Sequence, residues 1–523
     1  MRILGMDNHD LLPLCHPQGE RELALEPRSD VAVIAETFAG RIHVAWDPNA
    51  AVTPLGQLAF FVDFLKTADL FAPWVAQCPL AYTSNNAPAP VDVLGTLLLS
   101  VLAGHHRYAH IAALRCAGVN PALLGMSKVV SVDSARRAFG GKDAELHRQW
   151  QCRHLKRSYE ALLDRPFLLD VDSSVKPLYG HQQGAVLGYN PTKPGRPSHV
   201  LHTYFMANTR LVLDVEIRPG NETAAQYTMP GLWAFIDGLE RPQWPAFVRG
   251  DCSYGNERDM HDAEARGMDY LFKLRQTAGV KELIRNLFDA GVWRAVGQGW
   301  EGTEAPLRLM NWTCSRRVLV LRRRVRGDLG LKASSPQLGQ TQLACVEFTQ
   351  GTMTYEYAVL VTSLSEEIET LAQHYRDRAD AENVYDELKN QWGWSGYTTR
   401  DLHRCQLMAR IVAQVYNWWS LYAGLAVPDR HAEAITTRPM LLHAVGKQVH
   451  HAGKTMLLLT SVHGQAHVIE RCLRSVSIFL ADLRSTARQL TWAQRWRLIL
   501  DRIFARLLRP TPVADSPPLP APA

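Results

Sequence analysis

Four residues on one predicted helix, Tyr375, Arg378, Glu382 and Lys389, carry the acid, cations and hydroxyl that chemistry on a charged substrate requires. At 100° per residue, Tyr375 lies roughly 20° from Glu382 around the helix axis. Arg378 and Lys389 lie roughly 40° and 20° away on the other side, so the four form a stripe about 60° wide. A solvated surface helix would show the same pattern, because an Arg–Glu pair four residues apart contributes only about 0.3–0.5 kcal/mol.

The spacing Tyr-x2-Arg-x3-Glu-x6-Lys resembles the signature of a large group of DDE insertion-sequence transposases. That resemblance implies two further acids, one on the first strand of the catalytic domain and one at the end of the fourth. LLDVDSSV supplies Asp172, followed by two serines as in the family's Asp-Ser/Thr motif, and FVRGDCSYG supplies Asp251. YGHQQGA and EIRPGN resemble further stretches, so the similarity covers roughly residues 100–430.

The resemblance makes Asp172, Asp251 and Glu382 the catalytic and metal-binding residues. It implies two Mg²⁺ ions, with Mn²⁺ as a substitute, because carboxylates are the hard oxygen ligands that these ions prefer. Two ions about 4 Å apart would activate the attacking oxygen and stabilise the leaving one. Strand alternation puts Asp170 on the same face as Asp172, so only the motif position favours Asp172, and Asp170 remains the alternative.

The resemblance also gives Tyr375, Arg378 and Lys389 contacts with DNA phosphates near the cut, which their charge and hydrogen-bond donors allow. Burial of Tyr375 in the core is the alternative. Arg249 precedes Asp251 by two residues and is a further candidate for a phosphate contact. The alternative for Arg249 is a solvated arginine at a strand end.

Two basic segments are candidate DNA-binding surfaces. Residues 316–326, RRVLVLRRRVR, contain six arginines, and we single out Arg322, Arg323 and Arg324 as phosphate contacts. Charge that protects an edge strand is the alternative. The segment 471–509 has nine arginines and two acids, a charge that would allow it to bind DNA or a partner subunit. The alternative is an amphipathic helix with no binding role. Trp293, Trp300 and Trp312 lie in the stretch 276–365, where the transposases that this sequence resembles place an aromatic residue that stacks on a flipped base. A position in the core is the alternative for each of them.

Other patterns exclude other kinds of protein. HAGKT at 451–455 has Gln448 where a phosphate-binding loop needs its first glycine. The nine cysteines show no paired CxxC spacing, and His105, His106 and His110 lack an HExxH context, which argues against zinc. No stretch has the length of a membrane span or the form of a signal peptide. We therefore expect a soluble cytoplasmic protein, associated with the bacterial nucleoid when bound to DNA.

The elements that must position the acids begin near residue 166. PFLLDVDSSV, HVLHTYFMAN and RLVLDVEIRPG predict a strand and a hairpin. A helix over 224–239, a strand PAFVRGD, a second helix and a strand MDYLFKL follow, giving the order βββαβαβ. With the resemblance, this order implies an α/β multidomain protein with a ribonuclease H-like mixed sheet flanked by helices.

The 523 residues exceed what one core usually organises, and the net charge is only +6. The predicted regions are a mainly helical one that binds DNA ends (1–160), the first part of the catalytic domain (161–275), a β-rich insertion (276–365), the second part with the Glu-bearing helix (366–430), a helical C-terminal region for DNA or dimer contacts (431–510) and a disordered tail (511–523).

The function that these predictions favour is transposition. A transposase would bind double-stranded DNA at terminal inverted repeats, cleave it and join the 3′ ends to target DNA, as a homodimer in the synaptic complex. Two alternatives remain open: a non-catalytic DNA-binding protein derived from a transposase, and a ribonuclease H-like nuclease that does not join strands.

Overall fold

The computed structural model describes residues 33–47, 49–82, 84, 86–140, 143–324, 355–428, 431–486 and 490–505. The chain divides into two compact units, Met1–Ala50 and Ala51–Ala523. In the first unit, β1 (Val33–Thr37) and β2 (Gly40–Val44) form an antiparallel hairpin. The predicted tail 511–523 lies outside the described residues.

The second unit begins with the short strand β3 (Val52–Thr53) and a group of helices. These helices are α1 (Leu58–Thr67), α2 (Phe71–Ala76), α3 (Pro90–Leu102), α4 (Ile111–Leu114), α5 (Val119–Leu123), α6 (Val132–Arg137) and α7 (Ala144–Arg157). α3 is rich in Leu and Val, and every residue from Asp92 to Leu102 is buried. Since the helix is buried on all its faces, it lies inside this group of helices.

The next seven elements follow the predicted order βββαβαβ, which is confirmed. They are β4 (Leu168–Pro177), β5 (Ser198–Met206), β6 (Leu211–Pro219), α8 (Ala224–Ile236), β7 (Phe247–Gly250), α9 (Glu257–Arg266) and β8 (Asp269–Lys273). Their strands lie in the order β6-β5-β4-β7-β8 within a nine-stranded sheet. The pairs β6–β5 and β5–β4 are antiparallel, whereas β4–β7 and β7–β8 are parallel.

The predicted insertion 276–365 extends this sheet and is not purely β. It contains the amphipathic helix α10 (Ala278–Ala290) and strands β9 (Arg294–Ala295), β10 (Trp300–Leu307), β11 (Arg316–Arg324) and β12 (Tyr355–Thr362). β12 pairs antiparallel with β8, and the order continues β12-β11-β10-β9. The predicted strand TQLACVEFTQ, at 341–350, lies outside the described residues.

The helix predicted to run from Ser365 through Glu382 is two helices. α11 (Ile368–Arg376) and α12 (Ala379–Gln391) are separated by a turn at Asp377 and Arg378. In a continuous helix the Arg378 N–H would bond to the His374 carbonyl. Here the Arg249 guanidinium donates to that carbonyl, and the Arg378 N–H bonds to Tyr375 O at 3.1 Å instead. A side chain inserted into the hydrogen-bond ladder is a recognised cause of a kink.

The long helix α13 (Leu402–Ala426) packs along the edge strand β6. The Asn417 amide both accepts from Val212 N at 2.9 Å and donates to Val212 O at 2.8 Å. Gln406 accepts from Ile217 N and donates to Val215 O. Side-chain amides thus satisfy backbone groups that an exposed edge strand would leave without partners.

The C-terminal region was predicted to be helical, but it also contains a β-hairpin. This region begins with helix α14 (Ala434–Leu441). The strands β13 (Gly446–His451) and β14 (Lys454–Leu459) follow, and then the helices α15 (Ala466–Thr486) and α16 (Trp492–Ile503). Ala452 and Gly453 both have positive φ at the turn, as a tight type I′ hairpin turn requires. Among the described residues, no helix has the length and apolar character needed to cross a membrane.

Candidate active site

Two neighbouring parallel strands carry the predicted aspartates. β4 and β7 pair with Asp170 opposite Arg249, and Asp251 directly follows the last residue of β7. Because parallel neighbours run in the same direction, Asp172 and Asp251, each two residues beyond the pair Asp170–Arg249, lie near the end of β7. The Asp172 side chain is 18% exposed.

Arg378 connects the third acid to the first. Its guanidinium lies 3.1 Å from the Asp172 carboxylate and 3.1 Å from that of Glu382. The Arg378 side chain is only 6% exposed, whereas that of Glu382, in the first turn of α12, is 58% exposed. The turn between α11 and α12 therefore places one buried cation between two of the predicted catalytic acids.

The electrostatics of Asp172 show that the three acids influence one another. Burial is the largest cause of a rise in the pKa of Asp172 to about 6. Arg378 opposes this rise, and the negative charges of Asp251 and Glu382 add to it. For Arg378, burial disfavours the charged form, but Asp172 and its neighbours outweigh that effect and raise the pKa of the guanidinium.

The residue types of the site suit a hard divalent cation, but the carboxylates are not arranged to bind one. Within the described ranges, no group of three or more His, Cys, Asp or Glu side chains is gathered closely enough to hold a metal. The three acids supply the carboxylate oxygens that Mg²⁺ prefers, and the Arg378 guanidinium now occupies the position between two of them. Metal binding would require Arg378 to release at least one carboxylate.

The other two residues of the signature lie beside this cluster. Tyr375 is mostly buried, which raises the pKa of its hydroxyl. Burial lowers the pKa of Lys389, although the nearby Asp172 opposes that change. The Lys389 ammonium lies 5.5 Å from the ring centroid of Tyr385. Tyr385, which the sequence analysis missed, donates from its hydroxyl to the Asp172 backbone carbonyl at 2.9 Å.

Asp170, the alternative to Asp172, is fully buried and bound to Arg249. Both carboxylate oxygens accept from the Arg249 guanidinium, at 2.6 and 2.7 Å. Arg249 is itself 1% exposed. A phosphate contact by Arg249 would require this ion pair to open, and the structure instead shows Arg249 joining β4 to the end of α11.

The arginines of β11 are largely bound to acids on neighbouring elements. Arg322 hydrogen-bonds to Glu301 at 2.8 Å, and Arg323 to Glu356 at 2.7 Å. Arg324 is exposed. Arg326, the last arginine of the predicted cluster, lies outside the described residues. The strand pairs on both sides, with β10 and β12, so it is not an edge strand.

The tryptophans of the insertion differ in their surroundings. Trp312 is 5% exposed and belongs to the main core. Trp293 lies under Arg322, whose guanidinium carbon is 3.7 Å from the ring centroid, and Arg323 lies 4.9 Å from the ring of Trp300. In the C-terminal basic segment, Trp496 is fully buried at 0% exposure.

Comparison with known proteins identifies the family. The profile of the family described as Transposase DDE domain group 1 matches residues 92–479. The chain therefore belongs to this family of DDE transposases. One similar solved structure is a piggyBac transposase synaptic complex with hairpin DNA, at 11% identity and a TM-score of 0.39, covering 88% of this chain and 87% of that one. A comparison with curated proteins finds no match.

Proposed function

We propose that this transposase binds the terminal inverted repeats of its element, cleaves the DNA beside them and transfers the 3′ ends to target DNA. The observation that carries the proposal is the junction at Arg378, which joins Asp172 to Glu382 while Asp251 acts on the same carboxylate. Three acids from distant parts of the chain that act on one another, and that would come together once Arg378 releases a carboxylate, suit a two-metal-ion phosphoryl transfer.

The strand order supports a ribonuclease H-like catalytic domain. Three antiparallel strands, β6-β5-β4, continue into the parallel strands β7 and β8, so the first strand of the domain lies at the centre. Asp172 lies on that central strand and Asp251 at the end of its parallel neighbour. We assign residues 161–275 and 366–430 to this domain, 276–365 to the insertion, and 1–160 and 431–510 to DNA-end and dimer contacts.

In this mechanism Asp172, Asp251 and Glu382 would hold two Mg²⁺ ions, for which Mn²⁺ could substitute. When bound, the ions would lower the pKa of the attacking oxygen and stabilise charge on the leaving one. The Arg378 guanidinium, freed from a carboxylate, is then positioned to donate to a phosphate oxygen of the substrate. The Tyr385 hydroxyl fixes the backbone of β4 at Asp172.

Other side chains, most of them basic, would contact the rest of the DNA. Lys389 and Tyr375 would contact phosphates near the cut, and Arg322, Arg323 and Arg324 would act over a longer range. A homodimer would hold two DNA ends together, and binding to DNA would bring the protein to the nucleoid. The ion pair of Arg249 with Asp170 supports a positioning role for Arg249 over a phosphate contact.

The test uses full-length protein and DNA from the ends of the element that carries the gene. We expect cleavage that requires Mg²⁺ or Mn²⁺ and joined products when target DNA is added. Asp172→Asn, Asp251→Asn and Glu382→Gln should each reduce cleavage by at least about 10²-fold, because each removes a metal ligand or its charge. Glu369→Gln, which changes an exposed acid on α11, is the matched control.

The same experiment distinguishes the other two functions. Cleavage without joined products would favour a nuclease that does not transfer strands. Binding of the correct ends with no metal-dependent cleavage would favour a non-catalytic DNA-binding protein. Cleavage that persists in all three acid variants would contradict the proposed active site.

A further inference from the structure

A cavity of about 230 Å³ opens beside the candidate active site. Ser174, Val175 and Lys176 of β4 form one wall, which begins two residues after Asp172 on the same strand. Lys389, Trp394 and Ser395 form another. In the described part of the chain, no aspartate or glutamate lines this cavity, whereas two lysines do.

Lys176 is an unusual residue to find in such a wall. Lys176 is only 6% exposed. Its ammonium group donates to the Gly396 carbonyl. Among the described residues, no carboxylate forms an ion pair with it. Burial lowers the pKa of Lys176 to about 8, so the group is still largely charged at neutral pH. A buried cation without a counter-ion is costly, and an anion in the cavity would supply that counter-ion.

Lys176 and Asp172 lie on the same strand, β4, at a spacing that can be compared with that of the phosphates in DNA. The two residues are four apart on β4, so their side chains project from the same face at a separation of roughly 13 Å. That separation corresponds to about four nucleotides along one strand of a duplex, whose rise is about 3.4 Å per nucleotide. Lys389, on α12, lines the cavity and also interacts electrostatically with Asp172.

The rim of the cavity is also positive. Tyr179, which lines the cavity, is 69% exposed. The Lys193 ammonium lies 4.9 Å from its ring centroid, and the Arg196 guanidinium lies 4.5 Å from it. At the entrance of the cavity, the two cations could bind the phosphate of a nucleotide while the aromatic ring contacts its sugar.

We propose that this cavity binds a phosphodiester group of the DNA strand in the active site, within four nucleotides of the cleaved bond, with Lys176 as its buried counter-charge. The apolar parts of Val175 and Trp394 would contact the adjoining sugar. This assignment rests on the proposed function, since it identifies which part of the DNA substrate occupies the space next to the acids.

The experiment measures DNA binding separately from cleavage. Wild-type protein and Lys176→Met are titrated with terminal-repeat DNA in EDTA, by fluorescence anisotropy, over a range of KCl concentrations. Loss of one phosphate contact should lower the slope of log Kd against log salt by about one and weaken binding several-fold. Lys281→Met, which removes an exposed lysine from α10, controls for net charge. Thermal melting should show that Lys176→Met remains folded.

A second readout changes the DNA and compares the wild-type protein with Lys176→Met. Neutral methylphosphonates are placed singly at the four phosphates on each side of the cleaved bond. We expect one position to weaken wild-type binding and the same position to have little effect on Lys176→Met. Equal salt slopes for the wild type and Lys176→Met, or equal methylphosphonate effects at every position, would overturn the proposal.

Two further arms separate the possible explanations. If inorganic phosphate raises the melting temperature through Lys176 while the DNA salt slope is unchanged in Lys176→Met, the site takes free phosphate and the DNA assignment is wrong. Cleavage of the same DNA in Mg²⁺ tests the proposed function independently. A protein whose DNA binding depends on Lys176 but which cuts nothing would keep this site and lose the proposed enzyme.

Discussion

The Arg249 guanidinium donates to the backbone carbonyl of His374, the carbonyl that would otherwise accept the N–H of Arg378. The helix therefore stops at Arg376, and the chain turns before α12 begins. Since Arg249 also binds the buried Asp170, one side chain connects β4 to the turn that carries Arg378. The geometry of the acid cluster depends on this connection.

Replacing Arg249 with methionine should destabilise the protein by about 3–5 kcal/mol, because Asp170 would remain buried without its partner. Urea unfolding measures this change. The double variant Arg249→Met with Asp170→Asn should recover part of the loss, and the salt dependence of DNA binding should stay at the wild-type value. A stable Arg249→Met protein with a reduced salt slope would instead indicate a phosphate contact.

Arg378→Gln should bind Mg²⁺ more tightly than the wild type in the absence of DNA, by at least about 3-fold, because the cation no longer competes with Arg378 for Asp172 and Glu382. Isothermal titration calorimetry measures the affinity. Cleavage should nevertheless fall, by roughly 10-fold or more, since a donor to the phosphate is lost. Arg376→Gln, two residues away, is the control. Weaker Mg²⁺ binding by Arg378→Gln would rule out this competition.

The sequence predicted the elements of the site better than the connections between them. Apolar alternation located β4 and β7, and the signature spacing located the helical segment with Glu382, because these patterns are local. The turn at Arg378 and the choice between Asp170 and Asp172 depend on Arg249, which reaches both from another strand. Periodicity carries no information on such a long-range contact. Tyr385 and Lys176 were missed for the same reason.

The raised pKa of Asp172 predicts a specific dependence of stability on pH. Its folded pKa, about 6, lies above the ordinary value of 3.8, so the folded state binds more protons between these values. Wild-type stability in EDTA should therefore fall as pH rises from 4 through 6, relative to Asp172→Asn. The difference should change by on the order of 2 kcal/mol across this range. Asp386→Asn is the control, and parallel curves for wild type and Asp172→Asn would refute the assignment.

Tyr385→Phe should remove the hydrogen bond to the Asp172 carbonyl while keeping the aromatic packing against Phe205. The unpaired buried carbonyl should cost about 1–3 kcal/mol in denaturant unfolding. If the hydroxyl positions Asp172, the rate of DNA cleavage at saturating Mg²⁺ should also fall. A variant with lower stability but an unchanged rate would show that the hydroxyl has only a structural role.

The most direct test of the proposed metal site is a crystal structure of the protein with Mn²⁺, in which anomalous scattering locates the ions. We predict anomalous peaks within about 2.2 Å of carboxylate oxygens of Asp172, Asp251 and Glu382, with the Arg378 guanidinium moved away from at least one of them. Saturating Mn²⁺ that binds elsewhere, with Arg378 still between Asp172 and Glu382, would contradict the account.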